Sequence, residues 1–143
     1  MYNWKKTILG HSETMQRAIE VLNEEALRIV MVVNDEKVLV GTITDGDIRR
    51  AIINGKSIST KLNEFMYKDP AVVSNSYSSI QILDKMKEID VLQMPVVDSN
   101  NHVVGLETIQ GLLTEKKIDN VVVLMAGGFG KRMAPLTNEI PKP

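Results

Sequence analysis

The chain has 143 residues, 43% of them hydrophobic and 24% charged, and its formal net charge is −1. A charge so near zero gives no electrostatic reason to expect binding to nucleic acid or to an anionic membrane. There is no cysteine, which excludes disulfides and thiolate metal sites, and no acid or histidine cluster has metal-ligand spacing, so no metal is expected. Because no signal peptide and no membrane-spanning stretch can be recognised, a cytoplasmic protein is expected.

The first third of the chain predicts a helix, two strands and a second helix. Ser12 is a candidate N-cap for the first helix, whose apolar residues recur at helical spacing. Asn54-Gly55 is the stop signal of the second helix. The apolar stripe of the first helix consists of Met15, Ala18, Ile19 and Leu22. The predicted elements are a helix at 12–23, strands at 27–33 and 38–43 around a turn at 34–37, and a helix at 45–53.

The chain then repeats this pattern. A shift of 64 residues, which places Thr44 on Thr108, aligns two segments without a gap. One copy of about 55 residues is marginal alone, so the two copies are expected to pack as one unit. The matched positions include Ser12 with Ser76, Val32-Val33 with Val96-Val97, and Val40-Gly41 with Val104-Gly105. The second copy is predicted as a helix at 78–89, strands at 93–97 and 102–106 around a turn at 98–101, and a helix at 109–114.

The order of these elements, with Gly-x-x-Thr-x-x-Asp opening the last helix, resembles the cystathionine-β-synthase (CBS) domain. The first copy carries the motif in GTITDGDIRRAI, and the second copy, VGLETIQGLL, is assigned through the repeat. Two copies in tandem resemble a CBS pair, or Bateman module. The resemblance implies an α/β fold of two β-α-β-β-α repeats, at 1–62 and 63–118, that form one pseudo-symmetric module. It also implies a homodimer, and Trp4 could pack either across the module or at a dimer contact.

Thr44 and Asp47 stand three residues apart at a strand-to-helix junction, which supports two interpretations. The first is a capping box that needs no ligand. The second is a nucleotide site, because the first turn of a helix favours an anion. In CBS pairs that bind AMP, ADP or ATP, the matching threonine contacts a phosphate and the matching aspartate accepts from the ribose hydroxyls. Arg49 and Arg50 could add positive charge for the phosphates or form a solvated helix face.

The second copy departs from this motif, because Thr108 is kept but Gly111 stands at the position of Asp47. Thr108 remains a candidate ligand contact. Glycine has no side chain that can accept from a ribose, so this half-site is expected to be weak or empty. The asymmetry predicts one nucleotide per chain.

The end of the chain carries a different motif. The continuous apolar run at 120–126 predicts a buried parallel strand, and glycines follow it. The string at 126–137, followed by Pro-Lys-Pro, resembles the start of the sugar-phosphate nucleotidyltransferases, which join a nucleoside triphosphate to a sugar 1-phosphate. The resemblance implies a stub of that domain at 119–143, cut within a longer enzyme whose catalytic domain is the partner of the CBS pair.

That resemblance also assigns residue roles in the intact parent, which would need Mg²⁺. Arg132 would contact the triphosphate and assist departure of pyrophosphate, and Lys142 would contact phosphate. Lys131 stands where the family has threonine or serine. The loop that approaches the phosphates would be formed by Gly127, Gly128, Gly130 and Lys131.

Overall fold

Two three-stranded sheets with their helices make up residues 3–114, the part of the chain that the computed structural model describes. The first repeat consists of β1 (Ile8–Gly10), α1 (Met15–Glu24), β2 (Val30–Val33), β3 (Leu39–Ile43) and α2 (Asp45–Ile53). Strand β1 lies parallel to β2, and β2 lies antiparallel to β3. The β-α-β-β-α order confirms the predicted α/β architecture.

The second repeat has the same order of elements as the first, at an offset of 64 residues. It consists of β4 (Val73–Ser74), α3 (Ser79–Glu88), β5 (Gln93–Val97), β6 (Val103–Thr108) and α4 (Ile109–Leu113). Leu9 pairs with Val32 in the first sheet, and Val73 pairs with Val96 in the second, each 64 positions further along. The antiparallel pairing shifts register directly after Val32 and directly after Val96. The predicted internal repeat is therefore confirmed.

The first helix begins two residues later than predicted, because its N-cap is Thr14 and not Ser12. The Thr14 side chain accepts from the backbone N–H of Arg17, as Ser78 caps α3 in the second repeat. Ser12 lies instead in a turn, in which the Glu13 carboxylate accepts from the backbone N–H of Gly10 at 3.0 Å. The capping pair of the two repeats is thus Thr14 with Ser78.

The start of β2 and the buried face of α1 also differ from the sequence prediction. Strand β2 starts at Val30 and not at residue 27, because Arg28 has a φ of 54°, in the left-handed region that no strand contains. In α1 the buried residues are Met15, Ala18 and Val21, whereas Ile19 of the predicted stripe is 36% exposed.

The two repeats are joined by a shared apolar cluster and by their hairpin turns. Met31 and Leu39 of the first repeat contact Val97 of the second, and Trp4 packs against this cluster, within the module. The Leu39 N–H donates to the Asn101 carbonyl at 3.0 Å, and the Asn101 amide donates to the Leu39 carbonyl at 3.1 Å. The inter-repeat geometry is therefore fixed by both packing and directional hydrogen bonds. No helix within residues 3–114 is long and apolar enough to cross a membrane.

The two hairpin turns are built alike but differ in charge. The Oδ1 atom of Asn34 accepts from the backbone N–H groups two and four residues further on, at 3.0 and 2.9 Å. Asp98 makes the same two hydrogen bonds, at 2.8 and 2.9 Å. The pKa of Asp98 is held below its ordinary value, chiefly because the carboxylate accepts from the N–H of His102.

This depressed pKa predicts an acid-sensitive contribution to stability. Stabilisation by Asp98 is present above the ordinary carboxyl pKa of about 4 and is lost as pH falls through the lower folded-state pKa. We expect Asp98→Asn to unfold in urea with a smaller loss of stability on acidification, and Asn34→Asp to gain acid sensitivity at the equivalent turn. Equal acid sensitivity in wild type and both variants would contradict this account.

Candidate functional site

The junction of β3 and α2 holds the two residues that the sequence singled out. Thr44 is the N-cap of α2 and forms a capping box with Asp47. The Oδ2 atom of Asp47 accepts from the Thr44 backbone N–H at 2.8 Å and from the Thr44 hydroxyl at 2.7 Å. The Asp47 side chain is only 12% exposed, so it sits in a fixed orientation at the first turn of the helix. The structure therefore contains the predicted capping box. A capping box does not exclude a nucleotide site at the same two residues.

The second oxygen of Asp47 is engaged by one of the two candidate arginines. Arg50 Nη2 donates to Asp47 Oδ1 at 2.6 Å, while the Arg50 side chain is 69% exposed. Arg49 is also exposed, and within residues 3–114 no carboxylate lies within 4 Å of its guanidinium. A ligand hydroxyl that approached Asp47 would therefore share Oδ1 with Arg50, whose exposed side chain can move aside.

A cavity of about 460 Å³ opens beside Thr44, between the two repeats, and we call it the Thr44 cleft. Ile29, Thr42 and Thr44 line it from the first repeat. The rest of its wall comes from the connection between the repeats, from the end of α3 and the α3–β5 connection, and from β5. Those lining residues include Tyr67, Asp69, Ala71, Val91, Leu92 and Pro95. A volume of this size, with apolar walls and a few polar groups, is typical of small-molecule sites.

Asp47 does not line the Thr44 cleft itself but a neighbouring cavity of about 520 Å³, together with Arg50. Tyr67 lines both cavities and stands between them. Its backbone is held by two hydrogen bonds with Thr42, of 3.0 and 2.9 Å. The structure thus brings Thr44 to the cleft and places Asp47 and Arg50 at its border, behind Tyr67.

The equivalent position of the second repeat has its own cavity, of about 710 Å³, which we call the Thr108 cleft. The Thr108 hydroxyl caps α4 by accepting from the Gly111 N–H at 2.9 Å. Arg28 of the first repeat and Gln93 of the second line the same cavity. The half-site of the second repeat, which was predicted to bind nucleotide weakly or not at all, is therefore an open cavity with no carboxylate at position 111.

Sequence reasoning did not identify the side chains that face Thr44 from the second repeat. Tyr67, Val91 and Pro95 carry no motif, and their role depends on how the repeats pack. The internal repeat was the one sequence feature that pointed to these residues, because pseudo-symmetry puts the α3–β5 connection opposite the β3–α2 junction. The proposed phosphate-loop residues and the proposed catalytic residues lie outside the residues that the structure describes; they are Gly127, Gly128, Gly130, Lys131, Arg132 and Lys142.

The family model of the CBS domain matches residues 7–54 and 62–123, which is more than half of the chain. The chain therefore belongs to the CBS domain family, as a tandem pair.

Two curated relatives that match this chain over part of their length are named as enzymes. Arabinose 5-phosphate isomerase KdsD of Francisella tularensis is 26% identical over 108 residues, which cover 74% of this chain and 32% of that protein. A probable arabinose 5-phosphate isomerase of Haemophilus influenzae is 37% identical over 90 residues, covering 62% of this chain and 26% of that protein. The chain thus spans about a third or less of the length of these curated relatives.

Solved structures show the same fold. The CBS domains of a transcriptional regulator from Streptococcus pneumoniae match with a TM-score of 0.69 at 22% identity, covering 80% of this chain and 94% of that one. A CBS domain protein from Pyrobaculum aerophilum complexed with AMP matches at 0.67 and 19% identity, covering 76% and 84%. The CBS domain pair of protein MJ0100, in complex with 5′-methylthioadenosine and S-adenosyl-L-methionine, matches at 0.64 and 25% identity, covering 73% and 83%.

Proposed function

We propose that this CBS pair is a regulatory module that binds one adenine nucleotide, AMP, ADP or ATP, in the Thr44 cleft. The observation that carries the proposal is the position of Thr44 at an open inter-repeat cavity of ligand size, with Asp47 of the same motif lining the neighbouring cavity. The two structural neighbours in complex with AMP and with adenosyl compounds support the choice of ligand class.

The Thr44 cleft and the neighbouring cavity that Asp47 lines together suit the three parts of such a ligand. Ala71, Val91 and Pro95 provide apolar surface for the base. In the proposed complex the exposed Tyr67 side chain, which lines both cavities, moves aside. The ribose hydroxyls then donate to Asp47 Oδ1, displacing Arg50, and the Thr44 hydroxyl turns to the phosphate. The freed Arg50 guanidinium then pairs with that phosphate, because guanidinium groups bind phosphate oxygens well.

Titration of the 143-residue chain with adenine nucleotides tests this proposal. We expect AMP, ADP or ATP to bind in calorimetry at one per chain and to raise the thermal unfolding temperature, because a ligand that binds only the folded state stabilises it. GMP is the matched control, since it has the same ribose and phosphate with a different base. If no adenine nucleotide binds, or if GMP binds equally well, the proposed ligand class is wrong.

A module that only dimerises, with an empty cleft, is the second candidate function, and exposed apolar side chains favour it. On α2, Ile52 is 51% exposed and Ile53 is 76% exposed, and Ile19 on α1 is 36% exposed. We expect a homodimer in sedimentation experiments whether or not nucleotide is present. Dimerisation without any nucleotide binding would favour this second candidate over the first.

We further propose that the CBS pair reports to a nucleotidyltransferase domain. Support comes from the sequence string at 126–137 and Pro141-Lys142-Pro143 alone, since the relatives reported above are named as isomerases. In the parent protein, Arg132 and Lys142 would contact the nucleoside triphosphate. An assay of the parent for pyrophosphate release from a nucleoside triphosphate and a sugar 1-phosphate, against an arabinose 5-phosphate isomerase assay, separates the two enzyme classes.

A further inference from the structure

The connection that follows α2 folds back onto the start of α1. The Met15 N–H donates to the Thr60 carbonyl at 2.8 Å. The Gln16 N–H donates to the Ile58 carbonyl at 2.9 Å. Met15 and Gln16 are the first two residues of the helix, and their N–H groups have no acceptor within it. The connection therefore supplies hydrogen-bond partners that the helix itself cannot supply.

The start of α3, the equivalent helix, has no such cover within the described residues. Ser79 and Ile80 stand 64 residues after Met15 and Gln16. Within residues 3–114 no backbone carbonyl accepts from the N–H group of either residue. Ile80 is 73% exposed, and Tyr77, directly before the N-cap of the helix, is 45% exposed. The second repeat thus presents backbone donors and apolar side chains together, at the place that is covered in the first.

The chain that follows each repeat matches the start of its first helix in chemistry. In the first repeat the connection is mostly polar, KSISTKL at 56–62, and it is hydrogen-bonded to the backbone of two polar residues, Glu13 and Gln16. In the second repeat the equivalent residues are the exposed tyrosine and isoleucine, and the stretch 64 positions on is the apolar NVVVLMA at 120–126. The surface and the stretch have therefore both changed from polar to apolar.

The connection of the first repeat also covers one side of the first core. Leu62 is fully buried in that core, and Val40 and Phe65 pack against it. Val104, the equivalent of Val40 on β6, is 42% exposed. The shift of 64 residues places Phe129 on Phe65. The second repeat therefore has an open apolar position on β6, and the chain has an aromatic residue at the matching place.

We propose that residues 120–130 cover the second repeat as residues 56–66 cover the first, with Tyr77, Ile80 and Val104 as the docking surface. In this arrangement the carbonyls of the segment accept from the first two N–H groups of α3, and its apolar side chains remove the docking surface from water. The segment lies outside the residues that the structure describes. It follows its helix cap at the same distance in sequence as in the first repeat, so the chain can reach the surface.

Docking of this segment has a consequence for the proposed enzyme. The run at 120–126 is also the stretch assigned to the buried strand of the proposed nucleotidyltransferase domain. One stretch cannot pair in both places, so docking on the CBS pair competes with completion of the catalytic sheet. This consequence rests on the proposed function, whereas the docking itself rests on the internal repeat.

Amide hydrogen exchange of the 143-residue chain, followed by ¹H–¹⁵N spectra, tests the docking without an enzyme assay. Leu124 is the equivalent of the half-buried Thr60. We expect Leu124→Asp to speed exchange of the Ser79 and Ile80 amides about tenfold or more, because a carboxylate cannot be buried against the docking surface. Ile80→Ser, which changes the docking surface instead of the segment, is expected to speed exchange at Ser79 in the same way.

Val123→Asp is the matched control, because Val123 is the equivalent of the exposed Ser59. We expect it to leave exchange at the start of α3 unchanged within about twofold. The amide of Val96 in β5 should exchange at the same rate in all variants, which shows that the second repeat stays folded.

The proposal is overturned if the first two amides of α3 exchange in wild type as fast as fully exposed amides, or if the two aspartate variants have equal effects. If the protection disappears when the chain is diluted, the occupant belongs to a second copy and docking within one chain is wrong. None of these results depends on whether the parent releases pyrophosphate, so the docking and the proposed enzyme class can fail separately.

Discussion

Replacing Gly41 with alanine is expected to destabilise the protein by about 1–3 kcal/mol, because the new methyl group has no room. A Cβ at this position would lie 2.7 Å from the carbonyl oxygen of Tyr67 and 2.8 Å from the sulfur of Met66. The carbonyl belongs to a backbone that is hydrogen-bonded to Thr42, so it cannot move without breaking that pairing. Urea unfolding monitored by circular dichroism measures the change.

The second repeat supplies the matched control for this substitution. Gly105 is the equivalent glycine, and the nearest atom to a Cβ there is Val96 Cβ at 3.4 Å. We expect Gly105→Ala to change stability by no more than about 0.5 kcal/mol. Because Tyr67 lines the Thr44 cleft, Gly41→Ala should also weaken adenine nucleotide binding, and Gly105→Ala should not. Equal destabilisation by the two variants would show that the close approach of Tyr67 is not what requires a glycine.

Replacing Asp47 with asparagine is expected to weaken adenine nucleotide binding by about tenfold to a hundredfold. The reason is the loss of a charged acceptor for the ribose hydroxyls, which leaves those hydroxyls with a weaker partner. Asparagine retains an oxygen that can accept from the Thr44 N–H, so the helix cap is largely kept. Calorimetric titration of wild type and Asp47→Asn measures the change in affinity.

Capping and binding must be separated, because Asp47 serves the helix even without a ligand. Gln81 provides the matched control, since its side-chain oxygen accepts from the N–H and hydroxyl of Ser78, both at 2.9 Å, in the capping box of α3. Asp47→Ala and Gln81→Ala should lose similar stability, about 0.5–2 kcal/mol, but only Asp47→Ala should lose affinity. Equal loss of affinity in both would mean that helix stability, and not ribose recognition, controls binding.

Elements with a strong local pattern could be predicted from the sequence, and their ends depended on tertiary contacts. Helix α2 and strand β5 have the bounds that their periodicity indicated. The N-cap of α1 is Thr14 and not Ser12, because the Glu13 side chain accepts from the Gly10 N–H and Ser12 lies in the turn that this contact closes. Strand β2 was shortened by the left-handed conformation of Arg28, which no propensity scale indicates for an arginine.

The candidate site likewise has residues that the sequence identified and contacts that only the packing of the chain determines. Thr44 and Asp47 could be found from spacing alone, because a capping box and the family motif share one local pattern. The border position of Asp47 behind Tyr67, and the apolar wall opposite, follow from packing between residues far apart in sequence. The pairing of Asp47 with Arg50, at 2.6 Å, could not be distinguished from a solvated helix face before the side chains were placed.

Mapping AMP onto the chain by ¹H–¹⁵N spectra tests the central claim most directly, because it locates the nucleotide without any substitution. If the Thr44 cleft is the nucleotide site, the amides of Thr44, Ala71 and Val91 shift first and saturate together at one AMP per chain. The account is contradicted if those amides stay unchanged while the chain saturates with AMP, or if the first shifts to saturate are those of Thr108 and Gln110.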